Sequence, residues 1–446
     1  MSVQRRPLWI LIASVVFLIF FSARVLAQKG FGFPITHYKL KNGLAVILSE
    51  DYSLPLVSVV VTYNVGSINE QPGKTGLAYL MENLMFSGSA NVSQLQHINF
   101  INRVGGRLNA IASEDKTVFY QTVPSNQLAL VLWLESDRMK FLEIIETNFE
   151  QARGALLDES RQRKIGEPYF ESLFSFDQLL YSEFAYSHPL LGTEEDLRNL
   201  SLDDVKNFYA TYYIPNNAVL CITGHFNKQK AKELVLRYFD TIARGKEVMS
   251  SSEPLVYTKR QIVKNVEDTL AQAPAFHLGF RIAPPHTNDF YTLVILDYIL
   301  LRGHSSRITR RLLNRDNKIA YQLSGGIEKR GDRAVYKIFG VANNLLMVDR
   351  CQNAIFAELA KLKTSFISDV ELAKFKNILK GDFLKRWATN LDKALFLSEE
   401  YFWLKNLDTV FLEVEKYLNV TPTDIVGIAN RYFTPENSVI LNVKTK

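Results

Sequence analysis

Apolar and polar positions alternate from Thr36 to Leu48 around Asn42-Gly43, the period-two pattern and turn dipeptide of a β-hairpin. Leu56 to Tyr63 is a run rich in β-branched residues, which predicts a buried strand. Gly66-Ser67 and Pro72-Gly73 then lead into a helical stretch, Gly76 to Phe86, closed by Gly88. A second helical stretch ends at Gly105-Gly106, and Arg107–Ala112 and Lys116–Thr122 read as extended. Asn126–Phe141 reads as an amphipathic helix. Further helices are expected through Ala155–Arg163 and over Phe170–Tyr181, Leu202–Tyr212 and Lys228–Phe239, with a strand around Cys221. Between Ala243 and Pro254 the pattern dissolves into a polar Gly/Lys/Ser stretch, the best linker candidate. Beyond it the order repeats. Phe276–Ile282 matches the Leu56–Tyr63 strand, and Phe290–Leu301, ending at Gly303-His304-Ser305, matches the helix that ends at Gly88-Ser89. An internal duplication of an α/β domain follows, with segments 28–244 and 257–446 as the two copies and 245–256 as the linker.

The first 27 residues have the pattern of a leader. Arg5 and Arg6 precede the apolar run Leu8–Phe21, and Val25-Leu26-Ala27 offers small residues for cleavage before Gln28. The run is short for a span, which needs about 20 apolar residues; an uncleaved anchor is the alternative. Either way the remainder is expected to be exported, to a periplasm or beyond the cell. That remainder is too long for one ordinary core, and nothing in it is apolar for long enough to span a bilayer. The net charge of +6 is scattered, with no basic block or aromatic-interleaved stripe, which argues against nucleic-acid binding. The two cysteines, Cys221 and Cys351, allow either a disulfide or two buried thiols.

The chemistry centres on Gly76–Phe86. A His-x-x-Glu-His helix sets two imidazoles on one face for a single Zn²⁺, with the Glu placed to deprotonate a bound water. Here the spacing holds Tyr79, Glu82 and Asn83. Taken alone, the stretch reads more readily as an ordinary core helix with one exposed carboxylate than as a catalytic one. None of the seven histidines stands three or four residues from another, so no replacement pair offers itself. His97 is expected on a surface helix, His188 in a loop before Pro189, and His277 in a strand.

The surrounding motifs give that helix a context. In order they are Leu40-Lys41-Asn42-Gly43-Leu44, Tyr63-Asn64-Val65-Gly66-Ser67, Gly76-Leu77-Ala78, Gly105-Gly106-Arg107-Leu108-Asn109-Ala110, Ser113-Glu114-Asp115-Lys116-Thr117, Glu135-Ser136-Asp137-Arg138-Met139, Tyr213-Ile214-Pro215-Asn216-Asn217 and Thr223-Gly224-His225-Phe226. Along almost the whole chain this series resembles the pitrilysin/insulinase family of zinc metallopeptidases. The resemblance implies an α+β fold of two homologous α/β domains, each a mostly antiparallel sheet flanked by helices, together forming half of a clamshell. It places Tyr79 and Asn83 at the two histidine ligands, Glu82 at the general base and Glu159 at the third ligand. A phenol with a pKa of about 10 and a neutral amide cannot replace two imidazoles, so no metal is expected in this chain. The resemblance also implies that Asn109 and Ala110 lie on an edge strand that pairs with substrate through the main chain. Tyr321 and, one position off the family's spacing, Arg315 match an Arg/Tyr pair that hydrogen-bonds substrate near the scissile bond. A helix-end salt bridge and a strand aromatic are their ordinary reading.

The family includes two-chain members in which one subunit keeps the zinc motif and the other lacks it but retains that pair. This chain resembles the second kind. It is expected to be the non-zinc subunit of an exported hetero-oligomeric peptidase, with zinc in a sister subunit and peptides as substrates. A peptide-binding or structural pseudo-enzyme is the first alternative, and an active metallopeptidase with an atypical metal site the second.

Overall fold

The computed structural model describes residues 34–248, 260–313, 318–404 and 407–446. The leader, most of the linker and Arg315 lie outside these residues. The first half runs β1 (Thr36–Lys39), β2 (Ala45–Glu50), β3 (Leu56–Tyr63), α1 (Leu77–Leu84), α2 (Gln96–Arg103), β4 (Arg107–Ala112) and β5 (Thr117–Pro124). It continues with α3 (Leu128–Phe141), α4 (Glu146–Gly166), α5 (Phe170–Leu180), two short helices α6 (Phe184–Ser187) and α7 (Glu194–Asn199), α8 (Leu202–Tyr212), β6 (Ala218–Gly224) and α9 (Lys228–Phe239). The second half runs β7 (Ile262–Asp268), β8 (Ala275–Ile282), α10 (Asn288–Leu300), α11 (Arg307–Leu313), β9 (Ala320–Arg330) and β10 (Arg333–Ala342). It closes with α12 (Leu345–Thr364), α13 (Asp369–Lys385), α14 (Asn390–Leu404), α15 (Glu413–Leu418), α16 (Pro422–Tyr432) and β11 (Ser438–Thr445).

Apart from the additional edge strand β1 in the first, the two sheets have the same wiring. The first is ordered β1-β2-β6-β3-β5-β4 and the second β7-β11-β8-β10-β9. In each, one parallel pair (β2 with β6, β7 with β11) adjoins antiparallel neighbours. The duplication read from the order of elements is therefore present in the topology. Strand β3 shows why its sequence lacks polar alternation. It is covered on both faces, and a strand buried on both sides reads as a continuous apolar run.

What covers the second face is an exchange between the halves. Helix α5 of the first half packs on β8 and β11 of the second sheet, whereas its counterpart α14 packs on β3 and β6 of the first. Phe176 and Leu180 of α5 share a cluster with Val335, Val439 and Leu441, and Ala394 and Leu397 of α14 join Ile47, Val60 and Cys221. Each such buried Leu or Phe contributes about 1.5–3 kcal/mol. Interfaces between separable domains are more polar than this, so the halves hold one another's sheets in place. Charge reinforces the exchange at matched positions. Asp177 on α5 binds Arg330 at 2.6 Å and also Lys337, while Glu399 on α14 binds both Lys116 and Lys329 at 3.2 Å.

Two expectations need correction. Helix α3 is not amphipathic. Leu134 through Met139 are buried in succession, and its Glu135–Arg138 pair (2.5 Å) lies in the core with the guanidinium over the Phe119 ring. His97 is not on a surface. It is buried, edge-on to Phe86, and burial followed by the Arg138 charge pushes its pKa down to about 3. Cys221 and Cys351 are free buried thiols in different clusters. Among the described residues no helix is long and apolar enough to cross a membrane.

Candidate functional site

Helix α1 enters through Gly76, whose φ of 93° suits glycine, and a Cβ there would lie 2.9 Å from the Leu191 carbonyl oxygen. No hydroxyl caps this helix. Instead the buried carboxylate of Glu70 accepts from the Gly76 amide at 2.9 Å and the Ala78 amide at 2.8 Å. His188 holds Glu70 from the other side at 3.0 Å, its second ring nitrogen 2.7 Å from the Phe184 carbonyl. Two oxygen partners on one imidazole favour the doubly protonated ring. Burial opposes that charge, but Glu70 outweighs it and raises the His188 pKa. Glu70 lies in the polar loop Asn69-Glu70-Gln71-Pro72-Gly73, and sequence reasoning missed it. A carboxylate six residues ahead of an uncapped helix is the only local signal it carries.

On α1, Leu77, Ala78, Leu80, Met81 and Leu84 face the core, leaving Tyr79, Glu82 and Asn83 toward α4 and β4. Tyr79 and Glu159 do come together. The phenol donates to Glu159 Oε1 at 3.1 Å, and Arg163 donates to the same oxygen at 2.8 Å. Burial, then the charges of Glu159 and Glu82, push the phenol up to about 12, so it stays protonated and acts as a donor. Glu82 Oε2 accepts from the Ala112 amide of β4 at 2.5 Å. Burial raises its pKa, and Glu159 raises it further. Asn83 is exposed, its amide 3.5 Å from the Tyr79 carbonyl, too far for a firm hydrogen bond.

This donor set does not suit Zn²⁺. A protein zinc site needs imidazole, thiolate or carboxylate lone pairs. Tyr79 presents a proton, Asn83 an amide, and Glu159 is already engaged by a phenol and a guanidinium. Among the described residues no cluster of three or more His, Cys, Asp or Glu side chains could hold a metal. The constellation can still supply one raised-pKa carboxylate, Glu82, beside a strand edge.

That strand is β4, the last of its sheet, with Asn109 exposed and Ala110 buried along it. In the second half β9 is likewise terminal and carries Tyr321 near its start. Tyr321 is 59% exposed, and the Lys318 ammonium lies 5.8 Å from its ring centroid. The two edge hairpins meet at their tips, where Asp115 accepts from the Gly331 amide at 2.6 Å and Glu114 pairs with Arg330 at 3.2 Å.

Comparison with known proteins agrees with this architecture. The profile of the insulinase family (peptidase family M16) matches residues 45–171, and that of the peptidase M16 inactive domain matches 199–379. The zinc protease PqqE of Helicobacter pylori is 28% identical over 416 residues, covering 91% of each chain. A crystal structure of a protease from Helicobacter pylori superposes with a TM-score of 0.87 at 26% identity, over 93% of this chain and 100% of that one. The periplasmic protease PqqL of Escherichia coli superposes at 0.75 with 16% identity, over 93% of this chain but 48% of its own. The word zinc belongs to the names of relatives; in this chain the spacing of a His-x-x-Glu-His helix holds Tyr79, Glu82 and Asn83. With the same two-sheet fold and both family profiles matched in order, the chain belongs to the insulinase family of peptidases, peptidase family M16.

Proposed function

We propose that this chain is the non-zinc subunit of an exported hetero-oligomeric peptidase. It lines one side of a closed chamber and lends Tyr321 and Arg315 to the active site of a zinc-bearing sister subunit. The observation that carries this reading is the contrast between two edge strands. Beside β4 the metal-ligand positions hold a hydrogen-bonded Tyr79–Glu159 pair, while on β9 the Tyr321 phenol stands open to solvent. A chain with a substrate-facing phenol and no metal of its own needs a partner to cleave anything. The length of PqqL supports a two-part chamber, because this chain corresponds to about half of it. The periplasmic location in that protein's description supports export, in keeping with the leader at residues 1–27.

In this scheme Tyr321 donates a hydrogen bond to the oxyanion that develops on the substrate carbonyl, a role a phenol fills well. The edge strand bearing Asn109 and Ala110 pairs with the extended peptide through its main chain, which asks nothing of the lost ligands. Mixing this chain with its zinc-bearing sister should accelerate cleavage of unstructured peptides, and Tyr321→Phe in the mixture should lower kcat about a hundredfold. A sister chain as fast alone as in the mixture, with Tyr321→Phe silent, would sink the proposal. The open β4 edge supports a second reading, a peptide-clamping pseudo-enzyme. Tight peptide binding by the isolated chain, with no sister subunit co-purifying, would favour that instead.

A further inference from the structure

Positive charge that is scattered along the sequence gathers at the start of β9, beside Tyr321. Three contacts bring it together. The Ile319 amide donates to the Leu312 carbonyl, near the end of α11, at 3.1 Å. The Cys351 thiol of α12 approaches the Ile319 carbonyl at 3.6 Å, and Asn343 donates to the Lys318 carbonyl at 3.3 Å. Helix α11 also packs on both β9 and α12. Arg311, Lys318 and Arg350 each stand at one of these contacts or next to it in sequence, so the fold draws them to one corner of the surface. All three are exposed.

The corner is short of acids. Among the described residues Arg311, Lys318 and Arg350 form no ion pair, and the Lys318 ammonium lies over the Tyr321 ring at 5.8 Å. Asp349, next to Arg350 on α12, offsets one of these charges. The next acids are already engaged. Glu371 at the start of α13 is bound by Arg307 at 2.7 Å and lies in the field of Lys374 and Arg310 as well. Glu358 of α12 is bound by Lys361 at 2.8 Å. An excess of one sign of charge on an exposed surface raises the local concentration of anions. Two exposed side chains indicate which kind of anion. Leu345 and Leu346, just after Asn343, are 52% and 60% exposed. Apolar side chains beside cations suit a polypeptide that carries acidic and large apolar residues, whereas a small inorganic anion would leave the leucines in water.

We propose that this corner, formed by Arg311, Lys318 and Arg350 with Leu345 and Leu346, binds acidic and apolar side chains of a polypeptide passing Tyr321, so that the chain selects acidic peptides. The selection rests on the role of Tyr321 in the proposed function and adds to it the class of substrate. Guanidinium groups match the geometry of a carboxylate, and a lysine ammonium adds a point charge. An extended peptide advances about 3.3 Å per residue. With the Lys318 ammonium 5.8 Å from the Tyr321 ring, an acidic residue within about two positions of the carbonyl held by the phenol meets that charge.

The test is fluorescence anisotropy of the full chain alone with a short labelled peptide of Glu and Leu among Ser and Gly. A counterpart peptide has every Glu replaced by Gln. The Glu peptide should bind about tenfold more tightly, the combined effect of a few exposed ion pairs. The preference should vanish at about 1 M salt, where screening acts within about 3 Å. Arg311→Gln, Lys318→Gln and Arg350→Gln together should abolish it, with circular dichroism and Tm as checks on the fold. Should the triple variant not fold, Arg350→Gln alone takes its place and should cut the preference about twofold. Equal binding of both peptides, a preference that salt leaves unchanged, or a folded triple variant that keeps it would each overturn the proposal. So would capture of phosphatidylglycerol vesicles without binding of the Glu peptide. No preference, with Tyr321→Phe still slowing a mixture with the sister subunit, sinks this surface alone. A preference with Tyr321→Phe silent keeps the surface as a peptide site and sinks the subunit role.

Discussion

The two halves of this chain share a topology and differ at the same spot. In the first half the acid-bearing helix α1 sits against α4 with its polar face closed by a phenol, a guanidinium and a strand amide. In the second half the matching face of α10 borders a cavity lined by acids and bases alike, among them Asp297, Arg302, Arg386 and Glu400. A phenol–carboxylate hydrogen bond recurs in both, Tyr79 to Glu159 and Tyr298 to Asp382. The difference teaches that one arrangement of helix on helix can present either a closed polar face or an open one. Packing of helix on helix and acid on strand amide holds the geometry. What the site binds is then set by a few side chains.

The largest expected effect comes from turning one half back. Tyr79→His with Asn83→His rebuilds His-x-x-Glu-His beside Glu159, with its phenol donor removed. The double variant should bind one zinc per chain at micromolar concentration or tighter, measured by competition with a chromogenic chelator, because three good ligands then converge. If zinc binding stays absent, the α1–α4 geometry is not that of a metal site.

Next in size is the anchoring of the two helices. Glu70→Ala leaves two helix-end amides and His188 without their carboxylate, so urea unfolding should show a loss of about 3 kcal/mol. The corresponding end of α10 is capped by Thr287, whose hydroxyl accepts from the Phe290 amide at 3.3 Å. Thr287→Ala should cost only about 1 kcal/mol. Equal losses would mean that the two helices are held alike.

Acid should act on the exchange between halves. Burial alone would raise the pKa of Glu399, but Lys329 and Lys116 hold it down to about 2. A carboxylate whose folded pKa is depressed contributes stability above its ordinary pKa and loses it as pH falls. This contribution should therefore fade between pH 4.5 and about 2. Glu399→Gln should flatten that part of the stability profile, and an unchanged profile would remove Glu399 from the clamp. The smallest effect is Tyr79→Phe, which deletes one half-exposed hydrogen bond and should cost no more than about 1 kcal/mol in the same unfolding assay.

Much of this was legible in the amino-acid order. The strands around Asn42-Gly43 and Val57–Val61 carry their pairing in period and branching, and the repeat of elements after the linker announced two like halves. The substitution of Tyr79 and Asn83 into a zinc spacing was equally visible. Four features were not. A helical pattern such as Phe170–Leu180 says that one face is apolar, not which sheet it covers, so the α5/α14 exchange was hidden. Glu70 and His188 are far apart in sequence and look like loop residues until the fold buries them together. His97 lies in a helix of low mean hydropathy, so its burial against Phe86 and Arg138 came only from tertiary packing. The cavity beside Asp297 was hidden for a related reason, since it is a space left between five elements.

The central claim is that this family member holds no catalytic metal. The most direct measurement is zinc content by inductively coupled plasma mass spectrometry on the full chain, purified alone and washed with a weak chelator. The account predicts far less than one zinc per chain and no chelator-sensitive peptide cleavage. One tightly held zinc per chain, with cleavage abolished by chelation, would contradict it.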